Sequence, residues 1–183
     1  ILDNNETLPY DKLALCTGAR VRTLDIPGAD LAGVHYLRTL ADAEAIQQQV
    51  KPGAKAVIVG CGYIGLETAA SLRKLGMEVT VLEMMNRVLE RVTAPQLSDY
   101  YSRLHRQQGV NIITNAQAQA ILGNGRVQQV QCNNDLVLDA DLVIIGIGVI
   151  PNTELAAAAG LAIENGIVVD EFAGTGDPDI VAA

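Results

Sequence analysis

The sequence of 183 residues lacks the features of several protein classes. No apolar run approaches the roughly 20 residues that a membrane-spanning helix needs, which predicts no insertion into a membrane. Acidic residues (21) outnumber lysine and arginine (13), and the formal net charge of -8 argues against nucleic acid as a main partner. The three cysteines, Cys16, Cys61 and Cys132, show neither a CxxC motif nor metal-ligand spacing. They favour a reduced, cytoplasmic protein with no metal site and no disulfide framework.

The two ends of the sequence also lack expected features. The chain begins with ILDNNETLPYDKL, without an initiator Met or a signal peptide, and it stops at DPDIVAA within what reads as a strand from Ile180. We therefore expect the sequence to be the interior of a longer protein. Its length and its 49% hydrophobic residues are nevertheless sufficient for a packed core.

The most informative stretch is VIVGCGYIGLE, residues 57–67. Residues 56–59 are all apolar, as in a buried strand, and the helical period takes over after the glycines. Gly60, Gly62 and Gly65 therefore lie on a corner between a strand and a helix, where a dinucleotide pyrophosphate can approach the backbone and the helix N-terminus. A close-packed corner without a ligand is the alternative. The helix is predicted to end at Gly76 and to bury Ile64, Ala69, Leu72 and Leu75.

An acidic residue follows at the distance that this motif requires. The next strand, Glu78–Leu82, leads directly into Glu83, about 20 residues beyond the glycines, where an acid bonds the adenosine ribose hydroxyls of NAD. Glu83 would face the 2′-phosphate of NADP with like charge, so the chain is predicted to prefer NADH.

Two further helices are predicted on either side of this unit. Thr39 caps a helix with Asp42 in its first turn, and Ala45, Ile46 and Val50 form its buried stripe. The segment 93–96, TAPQ, reads as a capping box with Pro in the first turn. The helix that it begins is predicted to pack inward through Leu97, Tyr100, Tyr101 and Leu104, and the strand 110–113 follows.

The pattern then changes from helical to antiparallel. Segments 116–122, 126–132 and 136–138 read as three strands joined by turns at Asn124-Gly125 and Asn133-Asn134. A buried strand at 141–147 and a short helix at 153–159 come next. The predicted fold is therefore α/β, a Rossmann-like parallel sheet with a three-stranded β-meander.

Several segments in order resemble the central part of FAD-dependent NADH:ferredoxin and NADH:rubredoxin reductases, the putidaredoxin reductase group of the pyridine nucleotide-disulfide oxidoreductase superfamily. They are YDKLALCTGAR, VHYLRTLADAEAI, the glycine motif with GLE, RVLERVTAP, GIGVIPNTELAAAAGL and NGIVVDE. The resemblance implies that residues 40–145 form an NAD-binding domain, and that 1–39 and 146–183 belong to a partial FAD domain. The family's first GxGxxG would precede Ile1, so we expect FAD only in the full-length protein and no turnover by this chain alone.

The resemblance also implies the site residues. Those assigned to NAD are Gly60, Gly62, Tyr63, Ile64, Gly65, Glu67, Glu83, Arg91 and Gly148, and those assigned to FAD are Thr17, Gly18 and Arg38. Glu67 would position the nicotinamide, with an acid that merely complements the helix dipole as the alternative. Arg91 would meet phosphate or adenine, and Arg38 would contact FAD unless it is only a solvated charge.

The implied function is electron transfer from NADH through FAD to a small [2Fe-2S] ferredoxin or a rubredoxin. Two alternatives remain open at this point. One is a disulfide or peroxide reductase of the same superfamily, and the other is an NAD-binding module without catalysis.

Overall fold

The computed structural model describes residues 3–133 and 135–183, which form two compact units. One unit comprises the residues up to Arg20 together with Val149–Ala183, and the other comprises Val21–Gly148. The predicted division into 1–39, 40–145 and 146–183 concerns cofactor binding and stays a prediction. Among the described residues, no helix is both long and apolar enough to cross a membrane.

The described residues form four helices and twelve strands, which alternate from β3 to β6. The helices are α1 (Leu40–Gln47), α2 (Tyr63–Lys74), α3 (Pro95–Gln107) and α4 (Glu154–Ala158). The strands are β1 (Leu13–Leu15), β2 (Ala19–Val21), β3 (Val34–Tyr36), β4 (Lys55–Val59), β5 (Glu78–Leu82), β6 (Asn111–Ile113), β7 (Ala118–Gly123), β8 (Val127–Cys132), β9 (Val137–Asp139), β10 (Leu142–Ile145), β11 (Val149–Pro151) and β12 (Ile180–Ala182).

The unit Val21–Gly148 is built on a five-stranded parallel sheet in the order β3-β10-β4-β5-β6. The chain runs from β4 through α2 to β5 and through α3 to β6, whereas β10 joins the opposite side of β4. The order therefore reverses between β4 and β10. In open α/β sheets, ligands bind at such a switch point, outside the carboxyl ends of the strands.

The two faces of this sheet are covered by different layers, and alternate strand residues contact each layer. Ala56 and Ile58 pack against apolar side chains of the helices, including Ile46, Leu66 and Leu72. Val57 and Val59 face the opposite way, into a cluster that holds the apolar residues of β7, β8 and β9. Burial on both faces explains why β4 and β10 read as continuous apolar runs.

The predicted meander is confirmed. β7, β8 and β9 form an antiparallel sheet, with Val130 opposite Ile121 on one side and Leu138 on the other. Gly125 adopts a φ of +72° in the first turn, a conformation that glycine reaches without strain. In the second predicted turn, Asn134 lies outside the described residues.

In the first unit, β1 pairs in parallel with β12, and Leu13 aligns with Ile180. Leu15, Ala156, Ile180 and Ala182 form its buried cluster. Lys12 forms an exposed ion pair with Asp179 beside this sheet. The predicted strand at the end of the sequence is thus present as β12.

The predicted start of α1 is confirmed. Thr39 is its N-cap and accepts a hydrogen bond from the Asp42 amide at 3.2 Å, while the Asp42 carboxylate accepts one from the Thr39 amide at 2.8 Å. Of the predicted stripe, Ile46 is buried and Ala45 and Val50 are partly buried.

The predicted buried face of α2 is half wrong. Ala69 and Leu72 are buried as expected, but Ile64 and Leu75 are exposed and Leu66 is buried instead. The helix turns this face to the sheet because Gly65 must lie against the end of β4. The predicted helix end is confirmed, since Gly76 adopts a φ of +86°.

The predictions for α3 are wrong in two respects. Its N-cap is Ala94, with no side-chain cap, so Thr93 does not form a capping box, although Pro95 does occupy the first turn. Of the predicted inward residues, Tyr101 packs against the core as expected, but Leu97, Tyr100 and Leu104 are exposed. Ser98 and His105 are buried instead. The Ser98 residue is 1% exposed, and its hydroxyl accepts a hydrogen bond from Arg87 at 2.6 Å. A buried hydroxyl needs such a partner.

Candidate functional site

The glycine corner between β4 and α2 requires each of its glycines for a different reason. Gly60 has a φ of +105°, and a Cβ there would lie 2.4 Å from the carbonyl oxygen of Gly146. A Cβ at Gly65 would lie 2.1 Å from the carbonyl oxygen of Gly60. By contrast, a Cβ at Gly62 would meet nothing within 4 Å. Gly60 and Gly65 therefore permit close backbone packing, and Gly62 faces open space.

The N-terminus of α2 opens onto that space. Its N-cap is Gly62, which has no side chain to bond the first amides, and no acidic residue lies in the first turn. The first amides of a helix have no partner within the helix, and the helix dipole favours an anion there. The residues present thus fit a phosphate group, which would approach the backbone at Gly62.

A cavity of about 440 Å³ adjoins the corner and lies within the unit Val21–Gly148. Its walls come from the carboxyl ends of β4, β5 and β10, from the loop after β5, and from segments near residues 22–24 and 116–118. Of the predicted NAD residues, Gly60, Gly62, Glu83, Arg91 and Gly148 line it. The structure therefore brings these five together at the switch point of the sheet.

Glu83 is held at the cavity wall by two backbone amides. Its carboxylate oxygens accept hydrogen bonds from Cys61 and from Met85, each at 2.9 Å. The first bond ties the end of β5 to the glycine corner. Because each carboxylate oxygen has two acceptor positions, Glu83 retains the capacity to accept from a ribose hydroxyl.

Hydrogen bonds and buried side chains hold the loop after β5 in place. The Leu89 amide donates to the Cys61 carbonyl at 3.0 Å, and Val88 and Leu89 are buried in the core. The guanidinium of Arg87 bonds Ser98 and the carbonyls of Glu90 and Thr93. Arg87 therefore stabilises the loop, whereas the exposed Arg91 lines the cavity.

The remaining predicted NAD residues differ in position. Gly148 has a φ of +105° and open space where a Cβ would point, which suits close approach of a ligand to the backbone. Tyr63, Ile64 and Glu67 lie on the exposed side of the first turns of α2 and are not among the residues that line the cavity. Their contacts with a nicotinamide stay predictions.

The predicted flavin residues lie in different units. Thr17 and Gly18 belong to the first unit, where Asn152 holds both. The side-chain amide of Asn152 donates to the Thr17 carbonyl, and the backbone amide of Asn152 donates to the Gly18 carbonyl, each at 2.9 Å. Arg38 belongs to the second unit and is exposed just before α1. Their contacts with FAD stay predictions.

Sequence reasoning missed several cavity residues. Met84 and Met85 line the cavity and follow Glu83 directly, so their position after the predicted ribose-binding acid could have indicated them. Arg22 and Gln117 reach the cavity from distant segments, for which the sequence carries no local signal. Asn152, which holds the Thr17 loop, is a further residue that the sequence reasoning missed.

The cysteines differ sharply in accessibility. Cys61 and Cys132 are buried, and Cys16 is exposed. Burial, aided by the charge of Glu83, raises the pKa of Cys61 to about 12, and burial also raises the pKa of Cys132. A thiol whose pKa lies above the working pH stays protonated and unreactive.

We therefore expect one fast-reacting thiol per folded chain at pH 8, that of Cys16, and three after denaturation. Titration with a chromogenic disulfide reagent measures this number, and Cys16→Ser serves as the control that removes the fast reaction. Fast reaction of a second thiol in the folded chain would contradict the burial of Cys61 and Cys132.

The histidines show no arrangement for catalysis. Burial is the main cause that lowers the pKa of both His35 and His105, so both are neutral near pH 7. His35 contacts Gln49, and His105 is buried in α3. Within residues 3–133 and 135–183, no group of three or more His, Cys, Asp or Glu residues could hold a metal ion.

The sheet order, the meander and the glycine corner together define an α/β protein of the FAD/NAD-binding type. The family model described as pyridine nucleotide-disulphide oxidoreductase matches residues 2–183, and the chain belongs to this family. The resemblance inferred from the sequence motifs is thereby confirmed.

Individual relatives are similar over nearly the whole chain. Rhodocoxin reductase of Rhodococcus erythropolis is 46% identical over 176 residues, which are 96% of this chain and 41% of that protein. Putidaredoxin reductase of Pseudomonas putida is 47% identical over 188 residues, covering 100% of this chain and 44% of that protein. The crystal structure of a ferredoxin reductase from Rhodopseudomonas palustris matches with a TM-score of 0.93 and 42% identity, covering 98% of this chain and 45% of that one. The chain thus spans less than half the length of these proteins.

Proposed function

We propose that the chain is the NADH-binding part of a flavoprotein reductase that passes electrons to a ferredoxin or a rubredoxin. The observation that carries the proposal is the cavity at the glycine corner, where Gly62 leaves open space and Glu83 follows the neighbouring strand. The similarity to proteins named as ferredoxin, putidaredoxin and rhodocoxin reductases supports the reductase class.

In this proposal NADH supplies a hydride, and FAD in the full-length protein supplies the change from a two-electron donor to single-electron steps. The chain's own residues bind and orient the NADH. The corner at Gly62 and the α2 N-terminus bind the pyrophosphate, and Glu83 accepts from the adenosine ribose hydroxyls. Arg91 contacts phosphate or adenine. Gly148 has no side chain and lets the nicotinamide half of NADH lie close to the backbone.

The flavin side of the proposal rests on fewer residues of this chain. Thr17 and Gly18 form a loop held by Asn152, and Arg38 precedes α1. The 183 residues contain one strand-GxGxxG-helix corner, the one assigned to NAD. We therefore propose FAD as a cofactor of the full-length protein.

No observation favours the two alternatives over this function. A disulfide or peroxide reductase would carry its redox cysteine in another part of the full-length protein, so the cysteines of this chain do not decide between the two; the relatives named as rhodocoxin and putidaredoxin reductases favour the proposed function. The similarity to named reductases argues against a purely structural module. A cytoplasmic location is part of the proposal and agrees with three free thiols.

The nucleotide preference tests the role of Glu83. We expect the chain to bind NADH about tenfold or more tightly than NADPH, because Glu83 would bond the ribose hydroxyls and repel a 2′-phosphate. Glu83→Ala should weaken NADH binding by about tenfold or more and reduce the discrimination. Fluorescence titration with both nucleotides measures the two dissociation constants.

Two further variants control for damage to the corner. Glu83→Gln removes the charge and keeps one acceptor oxygen, which can serve only one of the amides of Cys61 and Met85, so it should lose the discrimination and part of the affinity for NADH. Glu78→Ala removes an exposed acid at the start of β5 and should change neither constant. Equal affinity of the wild type for both nucleotides, or unchanged NADH binding in Glu83→Ala, would show that the assignment is wrong.

A further inference from the structure

Arg22 lies on the cavity wall in a segment whose backbone is fixed. The Arg22 amide donates to the Gly148 carbonyl at 2.9 Å, and the Leu24 amide donates to the Tyr36 hydroxyl at 3.0 Å. The Leu24 side chain packs into the cluster between the parallel sheet and the meander. The segment therefore presents Arg22 to the cavity from a position set by the fold.

The guanidinium of Arg22 does not stabilise the fold through hydrogen bonds or ion pairs among the described residues. It is exposed, and it makes no hydrogen bond or ion pair with the residues that the structure describes. Arg87 and Arg126 differ, because their guanidinium groups bond carbonyls and side chains within the same unit. Arg22 thus has its donors available to a ligand in the cavity.

The charges of the cavity wall indicate what kind of ligand Arg22 would meet. The wall also carries two carboxylates, Glu83 and Glu90, which accept hydrogen bonds from backbone amides and form no ion pair with Arg22 among the described residues. Arg22 and Arg91 are the two cationic side chains among the residues that line the cavity. In a chain of net charge -8, an anionic ligand needs such local positive charge to offset long-range repulsion.

We propose that Arg22 binds the pyrophosphate of the dinucleotide, as a charged partner to the uncharged amides at the glycine corner. The inference rests on the proposed function, because it takes NADH as the ligand. A guanidinium offers planar, paired donors that match phosphate oxygens. Gly60, Gly62 and Gly148 line the same cavity as Arg22. The Arg22 amide bonds the Gly148 carbonyl, so Arg22 would meet the pyrophosphate from the side of the nicotinamide half, opposite to Glu83 and the adenosine ribose.

The test compares Arg22→Gln with Arg103→Gln in the 183-residue chain. Both remove one exposed arginine of the same unit, but Arg103 lies on α3 away from the cavity. Titrations with NADH and with ADP-ribose, at several salt concentrations, give the dissociation constants. We expect Arg22→Gln to raise both constants by about five- to twentyfold, with a weaker salt dependence, and Arg103→Gln to leave them unchanged.

Additional outcomes separate this inference from its alternatives. Arg22→Lys should recover part of the lost affinity if the role is electrostatic, and thermal unfolding should be the same for all three variants. The inference is overturned if Arg22→Gln leaves both constants unchanged, or if it weakens NADH but not ADP-ribose, since the contact is then with the nicotinamide half. Failure of the wild-type chain to bind NADH would instead overturn the proposed function.

Discussion

Gly65→Ala is expected to destabilise the unit Val21–Gly148 and to abolish measurable NADH binding. The added Cβ would lie 2.1 Å from the Gly60 carbonyl oxygen, far inside van der Waals contact, so α2 must move away from β4. Glycine to alanine within a helix ordinarily stabilises by about 0.5–1 kcal/mol. Overpacking costs about 1–3 kcal/mol and outweighs that gain, because the clash is with backbone that cannot rotate away.

Gly62→Ala is the matched variant at the same corner. Gly62 has a φ of -80°, and a Cβ there meets nothing within 4 Å, so the fold should tolerate alanine. The methyl group would nevertheless occupy the space assigned to the pyrophosphate. We expect Gly62→Ala to keep the wild-type melting temperature while losing NADH affinity, and Gly65→Ala to lose both.

Thermal unfolding and NADH titration of both variants measure these effects. A destabilisation of about 2 kcal/mol would lower the melting temperature by roughly 4–8 °C in a chain of this size. An unchanged melting temperature in Gly65→Ala would contradict the packing of α2 on β4. Full NADH affinity in Gly62→Ala would contradict the location of the pyrophosphate.

Glu67→Ala, introduced into the full-length protein, is expected to slow reduction of the flavin by NADH on the order of a hundredfold. Glu67 lies in the second turn of α2, exposed, two residues beyond Gly65. A carboxylate there would accept from the carboxamide of the nicotinamide and hold the ring at its reactive distance. Misplacement of reacting groups by about 1 Å is sufficient for an effect of this size.

Stability does not confound this experiment. The Glu67 side chain makes no hydrogen bond or ion pair with the described residues. The backbone carbonyl of Glu67 accepts a hydrogen bond from the Ser71 hydroxyl at 2.9 Å. Glu67→Gln keeps an acceptor oxygen and should retain much of the rate. Stopped-flow bleaching of the flavin measures the step, and the same rate in Glu67→Ala as in the wild type would remove Glu67 from the mechanism.

The parts of the fold that depend on local sequence were predictable. β4 and β5 were recognised because each is a short apolar run bounded by turns or charges, and the meander because Asn124-Gly125 favours a hairpin. The glycine corner was recognised because close backbone packing leaves glycine as the permitted residue at Gly60 and Gly65. Such constraints act on one residue at a time and are visible in the chain itself.

Helix orientation depended on contacts between distant residues and was not predictable from periodicity. In α3, Leu97, Tyr100 and Leu104 have the spacing of a buried face, yet the helix turns Ser98 inward. Ser98 is buried with the guanidinium of Arg87 as its hydrogen-bond donor, a contact that the spacing of the apolar residues does not indicate. Arg22 reached the candidate site for the same kind of reason, because tertiary packing brings its segment beside Gly148.

The most direct test of NADH binding at the glycine corner is a titration of the isotopically labelled 183-residue chain with NADH, followed by amide chemical shifts. The amides of Gly60, Cys61, Gly62 and Gly65, with those of Glu83 and Gly148, should shift in a saturable manner, and Leu13 and Ile180 in the first unit should not. Saturable shifts that leave the glycine corner unchanged, or no saturable shifts at all, would contradict the proposal.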